Sequence, residues 1–266
     1  MTYVYPVISR RSGGVSLGIN LNPNNACNWR CAYCQVPDLV RGVAPEIDMA
    51  RLGAELQMML DTILHGDFMM QRVPEDCRRL LRDVAISGNG EPTSCRSFDA
   101  VVAVISEHMR SSGLEIPLRL ITNGSYVHKP YVQAGLSTMS SNHGEVWIKV
   151  DSVTDEGIWR MNGIKLDEVR LRQQVETVAN LCPTWIQTCM VAWDGQSPSA
   201  KEVSSYLKFL VSLKKKHVPI RGVMLYGMAR QSFQQEAKYL AALDSVWMES
   251  MAAEIKQLGY NVTLSV

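Results

Sequence analysis

Nowhere in the 266 residues is there a run approaching the ~20 consecutive apolar side chains that a membrane span takes, so no membrane partner is expected. The opening MTYVYPVISRRSGG has no apolar stretch of about 7–15 residues such as a secretion signal carries. Charge of one sign is not in excess either. Lys and Arg number 27 against 26 Asp and Glu, a net charge of +1, so no overall field draws the chain to nucleic acid or to an anionic surface. Low-complexity tracts, residue-level repeats and long Gly/Ser/Pro linkers are missing, which excludes a disordered tail or an array. His65, His108, His128, His143 and His217 show no metal-ligand spacing. The seven cysteines are an odd number without an export signal, so they point to a reducing, cytoplasmic setting and thiolate chemistry rather than a disulfide framework.

What is present reads as alternating strands and helices. Strand patterns occur at Val15–Asn22, Val84–Ser87, Pro117–Thr122, Val146–Asp151, Trp185–Trp193, Ile220–Tyr226 and Tyr260–Val266. Helical spacing runs through 49–66, 97–113, 130–139, 167–181, 199–216 and 244–258. About six β–α units predict one parallel sheet with helices packed on it. In Val15–Asn22 one face carries Val15, Leu17, Ile19 and Leu21, and the other Ser16, Gly18, Asn20 and Asn22. Val146, Ile148 and Val150 likewise oppose Trp147, Lys149 and Asp151. A closed eight-stranded barrel fills its interior with branched apolar side chains; here one face is wet, and six units are too few to close. The expected fold is therefore α/β, a partial, incompletely closed (β/α)6 TIM-type barrel. Residues 1–266 form a single domain in this reading, with the barrel over about 15–230 and a C-terminal helix and strand in 231–266. An α+β protein with a solvent-facing sheet is the alternative.

Just past the first predicted strand stand Cys27, Cys31 and Cys34 in ACNWRCAYCQ, spaced C-x3-C-x2-C. Three soft anionic ligands on one short loop suit zinc or an iron–sulfur cluster. A structural zinc site takes a fourth nearby Cys or His, and none lies between Pro23 and Ala44. A cubane on three cysteines leaves one iron open to a substrate or cofactor.

These residues resemble the radical S-adenosylmethionine (SAM) superfamily, whose signature is this spacing with an aromatic residue, here Tyr33, before the third cysteine. ISGNGEPTSC after the second strand is similar to the superfamily's glycine–glutamate motif, through Gly88, Gly90, Glu91 and Pro92. ITNGS, IWRMNG and VMLYGMAR further resemble the Fe–S oxidoreductase group that includes the tRNA wyosine-tricycle synthases, although no cysteine precedes Cys27 to build those enzymes' second cluster. The resemblance implies a [4Fe–4S] cluster held by Cys27, Cys31 and Cys34, and SAM as its ligand. Tyr33 would meet the adenine, and Gly88, Gly90, Glu91 and Pro92 the methionyl end. Asn123, Asp151 and Ser152 would meet the ribose or carboxylate. The implied activity is reductive SAM cleavage followed by hydrogen abstraction. Its expected partners are a small-molecule or biosynthetic-intermediate substrate, a tRNA nucleoside as the alternative, and a reducing protein such as flavodoxin or ferredoxin. A non-catalytic iron–sulfur or zinc module is the reading from a different class.

Lys149, on the inferred inner face beside Asp151, suits an anionic group, a Schiff base or a structural ion pair. Tyr226 and Arg230, at and beyond the end of a strand, are candidates to grip substrate. These three are the candidate catalytic residues. Asn20 and Asn22 share the inner face. Cys77, Cys95, Cys182 and Cys189 are scattered singly and read as buried thiols. Lys214, Lys215, Lys216 and His217 end a helix, where positive charge meets the negative end of its dipole; with Arg10 and Arg11 they would make the one candidate nucleic-acid patch.

Overall fold

The structure, a computed structural model, describes residues 1–9, 13–228 and 230–265. In chain order its main elements are β1 (Val4–Ser9), β2 (Gly14–Ile19), α1 (Met49–Leu64), β3 (Leu81–Ile86) and α2 (Phe98–Ser111). There follow β4 (Leu118–Thr122), α3 (Pro130–Ser141), β5 (Glu145–Lys149), α4 (Asp155–Asn162) and α5 (Glu168–Leu181). The chain ends with β6 (Thr184–Cys189), α6 (Ala200–Lys215), β7 (Ile220–Tyr226), α7 (Ser245–Gln257) and β8 (Val262–Ser265). Side chains cap the helices at their N-termini: Asp48, Thr154, Asp167, Ser199 and Asp244 each accept a first-turn N–H.

The strands lie in one sheet in the order β1 to β8, parallel from β2 onward, with β1 antiparallel on β2. The edges β1 and β8 do not meet, so the barrel stays open, as the wet inner face predicts. The six expected units are β2 to β7, and the 231–266 segment adds β8 to the same sheet. One strand is additional to those expected, and one expected strand needs correction. Strand β1 carries Pro6, which cannot donate to a ladder and suppresses a strand reading; an edge position tolerates it. The expected strand Trp185–Trp193 breaks after Cys189, and Ala192–Trp193 pairs instead with Leu240–Ala241. No helix among the described residues is long and apolar enough to cross a membrane.

Period-two alternation sends Leu17, Ile86, Leu120, Ile148, Ile186 and Leu225 to the outer face, each 0% exposed. Leu56, Phe98, Leu136, Val175, Leu210 and Ile255, one from each covering helix, are equally buried in this layer. Each such side chain contributes about 1.5–3 kcal/mol relative to exposure. The inner face differs. At its lower end Arg119 donates from Nε to Glu145 (2.6 Å) and from Nη1 to Asp83, whose other oxygen accepts from Ser16. Trp147 donates to Glu145 (3.1 Å) and lies under the Arg119 guanidinium. Polar side chains thus plug the foot of the barrel.

Candidate functional site

The cysteine loop leaves β2 and crosses this carboxyl rim, where parallel α/β sheets gather their ligands. Both sides of the loop are tied down. Arg30 N and Ala32 N donate to the Asn162 and Met161 carbonyls at the end of α4 (2.9 and 2.8 Å). On the other side Ser232 Oγ donates to the Ala32 and Cys34 carbonyls, and Gln234 Nε2 to that of Val36. Within the loop, Trp29 N donates to Cys27 Sγ (3.4 Å) and Asn162 Nδ2 to Cys31 Sγ (3.5 Å). Burial and the nearby Glu91 push the Cys27 thiol up to about 11; burial takes Cys31 to about 12. Without a metal these sulfurs stay protonated at neutral pH.

The turn after β3 packs on the cysteine loop at backbone distance. A Cβ on Gly90 would lie 2.1 Å from the Ala26 carbonyl oxygen, and Gly88, at φ +142°, would strike the Asn20 amide. Only glycine fits. Asn20 Oδ1 accepts from Asn89 N and Asn22 N, while Asn22 Nδ2 holds the Ala26 carbonyl (2.9 Å). These two asparagines therefore brace the loops. Pro92 opens a single 3-10 turn capped by Glu91. Glu91, 2% exposed, accepts from Thr93 N (3.1 Å), Thr93 Oγ1, Thr122 Oγ1 (2.5 Å) and Asn123 N (2.7 Å). Burial raises its pKa against the pull of those four donors. Glu91 is thus a clamp between the ends of β3 and β4, with one oxygen already on Asn123. Asn123 in turn donates to Asn28 Oδ1 (2.9 Å), tying the same rim to the cysteine loop.

Deeper in the opening, Tyr33, Lys149, Asp151 and Tyr226 come together. Tyr33 donates to Asp151 Oδ2 (2.5 Å), and Lys149 Nζ donates to the hydroxyls of Tyr33 (3.1 Å) and Tyr226 (3.5 Å). Asp151 also accepts from Asn162 Nδ2 (2.7 Å) and Cys189 N (2.9 Å). Burial alone would lower the Lys149 pKa, but Tyr226 and Asp151 outweigh it and hold the group above the usual lysine range. An ammonium is not a nucleophile, so this state disfavours the Schiff-base role. Ser152 donates to Glu202 Oε2 (2.7 Å), and Thr154 donates to Glu202 Oε1. Arg230 does not join this group: it is exposed in a groove with Pro6, Ile8 and Phe68 beside β1. Three functional-site residues were missed in the sequence. Asn162 is the fifth residue of IWRMNG, Glu202 sits in the first turn of α6, and Gln187 shares the inner face with Trp185 and Cys189. Gln187 had a readable signal in the alternation of its strand, and Asn162 lay within a motif already singled out.

Cys95 and Cys182 are buried thiols, Cys189 meets the site through its backbone N–H on Asp151, and no disulfide joins the seven cysteines. Lys214 caps the Leu258 carbonyl (2.6 Å) and Lys216 pairs with Glu176 (2.8 Å), so the basic helix end is spent on neighbours. Arg10 and Arg11 lie outside the described residues. Among the described residues no three His, Cys, Asp or Glu side chains converge as on a single metal ion. A cubane distributes its cysteine ligands over separate irons and needs no such convergence. Three thiols, no fourth ligand on the loop, and N–H donors on two sulfurs fit such a cluster.

The fold is shared with solved structures that include a radical SAM methyltransferase from Sphaerobacter thermophilus, at TM-score 0.57 and 9% identity over 98% of this chain and 68% of that one. SuiB of Streptococcus suis, solved bound to S-adenosylmethionine, superposes at TM-score 0.63 with 13% identity, over 97% of this chain and 52% of that one. TYW1 with a lysine–pyruvate adduct bound gives 0.58 and 13%, over 92% and 74%. At such identities the shared property is the fold, a partly closed barrel. No family model matches the chain. Among curated sequences it is 27% identical over 160 residues to UPF0026 protein MJ1312 of Methanocaldococcus jannaschii, 60% of this chain and 43% of that protein. It is 26% identical over 137 residues to GTPase Obg of Brachyspira hyodysenteriae, 49% of this chain and 17% of that protein. The matched segments span less than half of either relative. The chain contains no G-x-x-x-x-G-K-[ST] phosphate loop.

Proposed function

We propose that the chain is a radical SAM enzyme acting on a small molecule or biosynthetic intermediate. One observation carries this reading: three thiols on a loop seated at the carboxyl rim, against a glycine turn too close-packed for any side chain. Cys27, Cys31 and Cys34 would hold a [4Fe–4S] cluster with one iron free for the amino and carboxylate groups of SAM. When bound, the reduced cluster and SAM together supply a 5′-deoxyadenosyl radical that takes a hydrogen atom from a substrate C–H bond. The chain's own part is placement and shielding. Gly88, Gly90 and Pro92 let backbone approach the methionyl end, which Glu91 keeps in register. Tyr33, Asn123, Asp151 and Ser152 line the way to the adenine and ribose. Lys149 and Tyr226 face the substrate side. Trp29 N and Asn162 Nδ2 place hydrogen-bond donors on ligand sulfur. A flavodoxin- or ferredoxin-type protein would deliver the electron.

Anaerobic reconstitution should load about four irons per chain, and dithionite with SAM should release 5′-deoxyadenosine. Both should disappear in Cys31→Ala. Folded wild-type protein that neither holds iron nor cleaves SAM would falsify the reading. The second reading is a tRNA nucleoside as substrate, from the resemblance of ITNGS, IWRMNG and VMLYGMAR to the wyosine-tricycle group. Salt-sensitive tRNA binding would support it, and no binding at low salt would remove it.

A further inference from the structure

One inner-face group has no partner. Gln187 on β6 is 1% exposed, and its Nε2 is buried with no hydrogen-bond acceptor. A buried unmatched amide end is costly and rare, so its presence calls for a partner that binds there. Strand register places Gln187 directly beside Lys149 of β5, and beside Met224 of β7 two residues before Tyr226. Adjacent strands lie about 4.8 Å apart, which puts the amide within reach of anything touching the ammonium. Lys149 is itself incompletely matched. Two of its three N–H donors go to the hydroxyls of Tyr33 and Tyr226, and among the described residues no carboxylate lies within ion-pair distance of Nζ. Asp151, the nearby acid, is engaged by Tyr33, Asn162 and Cys189 N. A cation and an unmatched amide donor thus stand on paired positions of neighbouring strands, above the polar plug.

We propose that the Lys149–Gln187 floor of the barrel binds an oxyanion of the substrate, a carboxylate or a phosphate, and so sets the end of the molecule that enters first. The assignment rests on the radical SAM reading and adds to it the class of substrate. The donors match either oxyanion in charge and hydrogen-bonding sense, and they reject a cationic or purely apolar end.

The test uses the cluster-reconstituted protein with SAM present and two probes, malonate and inorganic phosphate, with chloride at equal ionic strength as control. One-site binding by calorimetry and a concentration-dependent rise in melting temperature are expected for one probe, which then names the group. Lys149→Met and the isosteric Gln187→Glu should each weaken that binding at least tenfold. SAM affinity and dithionite-driven cleavage without substrate are measured in the same samples. The proposal is overturned if neither anion binds better than chloride, if binding survives both substitutions, or if Lys149→Met abolishes SAM binding, which would assign the lysine to SAM. Should a substituted chain fail to fold, the wild-type titration still decides. Loss of SAM cleavage in the wild type would be a failure of the radical SAM reading instead, read in the same samples by a separate assay.

Discussion

Replacing Glu91 separates a clamp from a ligand-binding carboxylate. In Glu91→Ala, Thr93 N and Asn123 N lose their acceptor while their residues are 0% and 3% exposed, so water does not readily replace it. A buried donor left unmatched costs about 1–3 kcal/mol. The two hydroxyls of Thr93 and Thr122 can rotate to other acceptors and add less. The expected loss is about 3–5 kcal/mol, or roughly 6–15 °C in melting temperature at about 2–3 °C per kcal/mol for a chain of this size. Glu91→Gln keeps the volume but turns an amide N–H₂ toward one of the donors, and is expected to cost about 2–3 kcal/mol. Urea unfolding of both variants against wild type, without SAM or iron, measures these values directly. If both variants unfold within about 1 kcal/mol of wild type, the clamp is absent and the four contacts carry no net stability.

Three further expectations follow from single contacts or groups. Glu55 on α1 accepts the N–H groups of Thr2, Tyr3 and Val4 and the Arg51 guanidinium; burial pushes its pKa up, yet these donors outweigh burial and hold it at about 2. A folded-state pKa below the ordinary carboxylate value gives stability that is present above about pH 5 and fades as pH falls toward 2. Glu55→Gln should therefore cost about 2 kcal/mol at pH 7 and little at pH 2.5; a pH-independent difference in urea titrations counts against the contact. In reconstituted protein, Asn162→Ala removes the donor to Cys31 Sγ. At about 1 kcal/mol favouring the reduced state this lowers the midpoint potential by about 40 mV in an EPR-monitored titration, and an unchanged potential would mean the contact does not reach the cluster. Gly90→Ala drives a Cβ onto the Ala26 carbonyl. It should displace the cysteine loop and reduce iron loading several-fold, with wild-type loading as the contrary result.

The amino-acid sequence by itself determined the alternation of the elements and the faces of the strands. Leu17 and Ile148 against Ser16 and Lys149 made the inner side polar, because neighbouring side chains along a strand point to opposite faces. That, with too few units for closure, is enough to require an open barrel. It also determined the three-thiol loop, whose cysteines lie within eight residues. Tertiary structure decided what those polar residues touch. Glu91, Asn20 and Asn22 bind neighbouring loops, and Arg119 with Asp83 and Glu145 plugs the barrel's foot. Arg230 leaves the site, while Asn162 turns its amide onto Cys31 and Gln187 comes to lie beside Lys149, neither of which spacing along the chain reveals. Period and spacing are local and survive in a linear chain; partners such as Asn123 for Glu91, 32 residues on, or Cys31 for Asn162, 131 residues back, exist only after the strands have taken their order in the sheet.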